Sequence, residues 1–216
     1  MLKVFSWRGL ASALVVLCLL GGGARAATTP TPEQRAAVAR AEKYLNDIRS
    51  MHARFVQYAE DGSIASGDLY LRRPGQLRFE YTPPAPILMV ATGRTFVFFD
   101  KELDQVTYLP LNATPLAFLL DDHFTFTRDD IEITRIRQDP GALGITIVDP
   151  DNPGEGEVTL IFGDSPLALR QWVVVDAQGR RTTVALTDMR TNVELDDALF
   201  RFADPNPFRN TNPNGN

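Results

Sequence analysis

The first pattern in the chain has the period of a helix. Val38, Ala41, Leu45 and Ile48 recur at spacings of three, four and three, which predicts one apolar stripe on a helix over about 32–49. Thr31 can cap it, Pro32 suits its first turn, and Gln34 stands where a capping box needs it. Arg35, Arg40, Glu42, Lys43 and Asp47 read as the opposite, solvated face. From Met51 the period falls to two, and strands are predicted over 52–59, 67–72, 76–81, 87–92, 95–100 and 105–109. Within 76–81, Leu77, Phe79 and Tyr81 share one face and Gln76, Arg78 and Glu80 the other. Thr114-Pro115 then predicts a second, short helix that carries Leu116, Phe118, Leu119 and Leu120 and stops at Asp121-Asp122. Strands follow over 131–137, 143–149, 157–163, 169–176 and 181–190, the last two joined by the turn signal Asp176-Ala177-Gln178-Gly179. A turn near Asp196 leads to a last short strand at 200–202. The Asn- and Pro-rich stretch beyond, residues 206–216 above all, predicts a disordered tail.

The pattern therefore describes a mainly β protein with helices. About ten or eleven sequential antiparallel strands curl into a barrel or half-barrel. Two amphipathic helices must bury their stripes, and the concave face of a half-open barrel is the economical place, which makes them a helical lid. A closed sandwich with helices packed outside satisfies the same periodicities. Residues 87–90 and 96–99 are apolar on both faces, so both faces of those strands need cover. Periodicity does not say whether the inner apolar face is plain core or lines a cavity.

The N-terminus decides the compartment. Lys3 and Arg8 precede an uncharged apolar run over 10–20, and Ala24-Arg25-Ala26 supplies small residues for a signal peptidase. This is the layout of a cleaved secretory signal over 1–26, and the run is too short for a membrane span of roughly 20 residues. Cys18, the sole cysteine, lies in that run behind Leu17, where a lipoprotein signal would need a small residue. The mature chain then has no cysteine and no disulfide. Residues 27–205 suffice for a single domain with a sizeable core. Losing Lys3, Arg8 and Arg25 shifts the formal charge from −5 to −8, which disfavours nucleic acid and anionic membrane surfaces.

Little in the chain points to catalysis. His52 and His123 are far apart in sequence. Gly163-Asp164-Ser165-Pro166-Leu167 resembles a nucleophile elbow only loosely, because Pro166 removes the N–H that would stabilise an oxyanion. There is no phosphate loop and no metal-binding histidine spacing. The stretch from Asp149 to Glu157 alternates oxygen ligands in the manner of a calcium loop. Pro153 and Leu160, however, stand where that loop needs acidic or amide side chains, so it reads as an acidic hairpin turn. No cofactor, metal or enzymatic activity is expected, although a hydrolase with paired carboxylates scattered in sequence would leave no motif.

Gly67-Asp68-Leu69-Tyr70-Leu71-Arg72-Arg73-Pro74, followed by Leu77-Arg78-Phe79-Glu80-Tyr81, closely resembles the signature of the LolA-like outer-membrane lipoprotein carriers. Gly93 before Phe98-Phe99-Asp100, Gln105-Val106-Thr107, Thr114-Pro115-Leu116, Trp172-Val173-Val174-Val175-Asp176 with Gly179, and Leu199-Phe200-Arg201-Phe202 recur in that family in the same order. The resemblance runs from about 34 to 205. It implies a half-open barrel with a lid, residence in the periplasm, and acylated outer-membrane lipoproteins as cargo. An ATP-driven inner-membrane transporter would release them, and an outer-membrane receptor or the membrane itself would accept them. It further implies that Arg73 latches the lid by hydrogen bonds to its backbone. Leu77 and Phe79 would lie at the cavity mouth and wall, and Leu116 and Leu119 on the mid-chain lid. Val38, Leu45 and Ile48 complete the expected apolar site from the first helix. The chain is expected to act as a monomer. A periplasmic sensor of lipids or lipoproteins on the same fold is the alternative, although relatives of that kind usually append a second domain. The tail after Asp204 departs from relatives that add a strand there.

Such a carrier answers a physical need. Each methylene left in water costs about 0.8 kcal/mol, so a chain of on the order of 16 carbons costs roughly 12 kcal/mol to expose. The export reading is checked by intact mass of the product from a periplasmic extract. A chain starting near Ala27 and free of cysteine is expected, and a product lipidated at Cys18 would overturn the assignment.

Overall fold

The computed structural model describes residues 30–115 and 117–205. The expected signal segment, Leu116 and the tail over 206–216 lie outside the described residues. The first element, α1 (Pro32–Asp47), starts on the capping box read in the sequence. Thr31 Oγ1 accepts from the Gln34 amide at 3.2 Å, and the Thr31 amide donates to Gln34 Oε1 at 2.9 Å. The helix stops two residues short of the predicted end because Asn192 takes over there. Its Nδ2 donates to the Asp47 carbonyl at 3.0 Å, and its Oδ1 accepts from the Arg49 amide at 2.8 Å. Ile48 is already extended. Ala37, Ala41 and Leu45 are the buried stripe, with Ile48 just beyond.

Eleven strands follow: β1 (Ser50–Tyr58), β2 (Ile64–Arg72), β3 (Gln76–Tyr81), β4 (Ile87–Thr92), β5 (Thr95–Asp100), β6 (Gln105–Pro110), β7 (Glu132–Asp139), β8 (Ala142–Val148), β9 (Gly156–Asp164), β10 (Leu167–Asp176) and β11 (Arg181–Thr191). They form one antiparallel sheet in the order β6-β5-β4-β3-β2-β1-β11-β10-β9-β8-β7. This is a half-open barrel and not a two-sheet sandwich. Strand β1 sits at the centre and pairs with β2 on one side and β11 on the other, from Met51 opposite Thr191 to Tyr58 opposite Thr183. The free edges are β6 and β7. The chain between them, residues 111–131, is therefore carried from one edge to the other on the open side.

The concave face is aromatic and aliphatic. Phe55 on β1 meets Phe79 and Tyr81 on β3 edge to face, with ring centres 5.1 and 4.9 Å apart, and Phe79 meets Trp172 from β10. Gly67 on β2 lies between Phe55 and Tyr81 in the register. A Cβ there would stand 2.1 Å from the Glu80 carbonyl oxygen and 2.9 Å from the Phe55 ring, so the position has room only for hydrogen. Tyr81 is buried among these rings, and burial pushes its hydroxyl pKa up to about 12. Leu45, Phe124 and Phe126 join the strand residues in one core.

Two elements differ from the sequence reading. The second helix is not an α-helix but a pair of 3₁₀ turns, Leu111–Ala113 and Ala117–Leu120. Phe118, Leu119 and Leu120 are consecutive and all buried. A 3₁₀ turn, with three residues per turn, aims three successive side chains in three directions, whereas an α-helix would bury a single stripe. The closing strand at 200–202 is also absent; a 3₁₀ turn at Asp197–Phe200 stands in its place, capped by Asp196, whose carboxylate accepts from the Ala198 amide at 2.8 Å. Outward-facing arginines occupy the carbonyls that a neighbouring strand would have used. Arg72 Nη1 donates to the Leu195 carbonyl and Arg78 Nη1 to the Leu199 carbonyl, both at 3.3 Å. Phe200 is thereby pressed onto the convex face, with the Arg72 guanidinium 4.8 Å above its ring, and Phe202 rests on Phe99. This segment is the outer cover that the two-sided strands β4 and β5 require.

Phe200 is 1% exposed and anchors that segment. Phe200→Ala is expected to lower stability by about 3–5 kcal/mol in urea unfolding, with the strand signal in circular dichroism retained under native conditions.

Candidate functional site

Under α1 and the 117–120 turn lies an apolar cavity against the concave face. Leu45 lines it from the helix and Ile48 from just past the helix end, Leu69, Leu71, Leu77, Phe79 and Trp172 from the strands, and Leu119 and Leu120 from the turn. Its free space is about 40 Å³, room for a water molecule or two by volume. A long apolar ligand enters only if the cover moves. Arg73 is the one charged side chain in the lining.

The β2–β3 turn puts Arg73 there. Its amide donates to the Arg49 carbonyl at 2.9 Å, and Gly75, at a φ of +72°, turns the chain so that its own amide donates to the Leu120 carbonyl at 2.8 Å. Arg73 Nε donates to the Leu119 carbonyl at 2.8 Å. The turn's terminal carbonyls, which have no partner within a turn so short, are thus satisfied by the β2–β3 turn. Arg73 is 7% exposed, and its Nη1 has no hydrogen-bond partner among the described residues. Burial, and then the like charge of Arg49, hold the Arg73 pKa below the usual arginine value, while Asp121 and Asp122 act in the opposite sense. The group remains a cation at neutral pH.

A polar stripe on α1 holds the other half of the cover. Glu42 accepts from the Phe126 amide at 2.8 Å and the Thr125 hydroxyl at 2.9 Å. Asn46 makes a paired contact with Phe124, accepting from its amide and donating to its carbonyl, both at 2.8 Å. Arg49 donates to the Asp122 carbonyl at 2.8 Å and pairs with the Asp122 carboxylate. Glu42 and Asn46, four apart, share one edge of the helix beside the apolar stripe, and Arg49 follows just past the helix end; together they join this part of the chain to residues 122–126.

Of the residues expected from the sequence, Arg73, Leu45, Ile48, Leu77, Phe79 and Leu119 are brought together around the cavity. Val38 is half-buried and packs at the margin of the core, away from the lining. Leu116 lies outside the described residues. The sequence reading missed Met51, Leu69, Leu71 and Trp172. It also placed Glu42 on a solvated face, although its alignment with Asn46 one helical turn on was the available signal. The other candidates lie elsewhere. His52 stacks on Tyr70 and lies between Asp68 at 2.8 Å and Arg190 at 2.7 Å. Ser165 is in the exposed β9–β10 turn. The Asp149 carboxylate is used inside its own turn, accepting from the Asp151 amide and Asn152 Nδ2. Among the described residues no group of three or more His, Cys, Asp or Glu gathers as a metal site would.

An apolar hollow in a half-open barrel, under a cover fastened at a few polar points, defines a container for apolar groups. The sequence profile of the outer membrane lipoprotein carrier protein LolA matches residues 46–203. The chain is 30% identical over 208 residues to the outer-membrane lipoprotein carrier protein of Methylococcus capsulatus, covering 89% of this chain and 93% of that one. It is 30% identical over 193 residues to the protein of the same name from Azotobacter vinelandii, covering 83% and 89%. The crystal structure of a DUF1329 family protein from Desulfovibrio piger superposes with a TM-score of 0.51 at 10% identity, over 81% of this chain and 98% of that one, a likeness of fold alone. The chain belongs to the LolA family of outer-membrane lipoprotein carrier proteins.

The unity of the cover is testable without any ligand. Asn46→Ala removes both partners of the Phe124 backbone, so native-state hydrogen exchange at Phe124 and Phe126 should quicken about 10-fold or more. The β1–β11 amides should be unchanged. Unaltered exchange at Phe124 would mean that the helix does not hold the segment.

Proposed function

We propose that this chain is a periplasmic carrier that shelters the acyl chains of lipoproteins between the two membranes. An ATP-driven inner-membrane transporter loads it, and an outer-membrane receptor or the membrane itself receives the cargo. The observation that carries this reading is the apolar cavity closed by a cover whose carbonyls bond to Arg73 and Gly75. Family membership supports it. So does the acidic balance of the chain, which discourages adhesion to anionic membrane surfaces during transit. Among the described residues no helix is long and apolar enough to cross a membrane.

A carrier needs binding that can be reversed, and the latch supplies the opposing force. Loading breaks the Arg73–Leu119 bond, so the free energy of closure is subtracted from the affinity for cargo. A charge-assisted bond of this kind contributes roughly 1.5–3 kcal/mol. Arg73→Leu removes it without filling the cavity. The variant should bind an apolar fluorescent dye about 10- to 150-fold more tightly, yet pass lipoprotein to outer-membrane vesicles more slowly, because closure no longer helps to expel the cargo. Dye titration and a transfer assay on the same preparations decide it. Weaker binding together with slower transfer would indicate structural damage, and no change in either would remove Arg73 from the mechanism.

A further inference from the structure

Two groups in the cavity lining carry N–H donors, the Trp172 indole and the Arg73 guanidinium, and of these Arg73 is the charged one and holds a buried donor with no partner among the described residues. Hydrophobic burial has no direction, so the Leu, Ile and Phe side chains cannot fix where along an acyl chain the cavity grips. Arg73 is the lining group that can. Its Nε is bonded to a carbonyl oxygen, that of Leu119, while its buried Nη1 is bonded to nothing among the described residues. A buried donor left unpaired is costly and calls for an explanation, and a role in taking up a ligand's acceptor is one. Lifting the cover would worsen the mismatch: the guanidinium would lose Leu119 as well and stand in an apolar hollow with two free donor positions. A plain hydrocarbon cannot repair that loss. An acyl chain with a carbonyl at its head can, because it brings the same kind of acceptor that the cover withdrew.

We propose that Arg73 is also the group that recognises cargo, exchanging the Leu119 carbonyl in the closed state for the ester carbonyl at the head of an acyl chain in the loaded state. This rests on the carrier reading above and extends it to the chemistry of the ligand. It gives the cover a reason to open for acylated cargo and not for any apolar molecule, since a ligand shifts an equilibrium only through interactions that differ between its two states. The surroundings favour a neutral acceptor over an anion. Arg49 is paired with Asp122 and Arg128 with Asp121 and Asp130, so Arg49, Arg73 and Arg128 stand among three carboxylates and no further negative charge is needed to balance the site.

The test is displacement of an apolar dye from the intact exported protein by four amphiphiles: dioctanoylglycerol, its dioctyl ether analogue, which lacks carbonyls, octanoate, and methyl octanoate as its single-chain ester. In the wild type the ester should displace the dye at a concentration about 10-fold or more below that of the ether. In Arg73→Leu the ether should bind more tightly than in the wild type while the ester changes little, one bond being lost from each of its two states, so that the ester-to-ether ratio falls to near one. The ratio cancels changes in fold and cavity size common to both ligands. Equal binding of ester and ether by the wild type, or a preference that survives in Arg73→Leu, would overturn the proposal. Octanoate preferred over a single-chain octanoyl ester would instead make Arg73 an anion site and overturn it as well. The carrier reading fails separately: an intact ester preference with no delivery of lipoprotein to outer-membrane vesicles would sink that reading and not this one.

Discussion

Two carbonyl oxygens at the end of a single 3₁₀ turn hold the working part of this molecule in place. Leu119 and Leu120 are both buried side chains on a turn too short to satisfy its own backbone. Their carbonyls need donors, and the β2–β3 turn presents two, Arg73 Nε and the Gly75 amide. Everything else about the cavity follows. The leucine side chains can be aimed inward only because their carbonyls are tied off behind them. These two ties fasten the turn over the hollow.

The convex face shows the same economy with the opposite purpose. There, Arg72 and Arg78 also donate to backbone carbonyls, and a third partner, Asp197, reaches Arg72 at 2.7 Å. That contact adds a ring beneath the guanidinium and a second aromatic residue, Phe202, packed against Phe99 and Tyr108. The outer segment is fastened by charge and by aromatic burial together, whereas the inner cover faces a cavity. Neighbouring arginines at one strand end thus fasten the two faces of the sheet, Arg72 the outer segment and Arg73 the inner cover.

Much of this was legible in the sequence, and the remainder was hidden for definite reasons. The spans 76–81, 87–92 and 95–100 coincide with β3, β4 and β5 because short turns bound them, with Pro or Gly at 74–75, 83–86 and 93 and the charged turn Lys101 to Asp104 after the last. The capping box at Thr31 is a local device, and it appears as read. Three buried residues in a row at 118–120 look like helix to a periodicity argument and become a 3₁₀ turn only when a surface is present on each side. Phe200 reads as strand until Arg72 and Arg78 are seen to take the carbonyls, which depends on pairing far away in sequence. Glu42 looked solvated because its partners lie more than 80 residues on. Arg73 was found through the family motif. Neither composition nor spacing singles out one arginine from the rest.

The position of the central strand has a mechanical meaning. Strands β2 to β6 and β7 to β11 form two wings on either side of β1; the segment after β11 is bonded across to Arg72 and Arg78 on the first wing, and the strap over 111–131 links the two free edges. The strap is fixed to one wing where the Leu111 amide donates to the Arg94 carbonyl, and it continues into β7 on the other. Leu119 lies along that strap, so a change in the distance between the two free edges would act on the same segment that Arg73 and Gly75 hold.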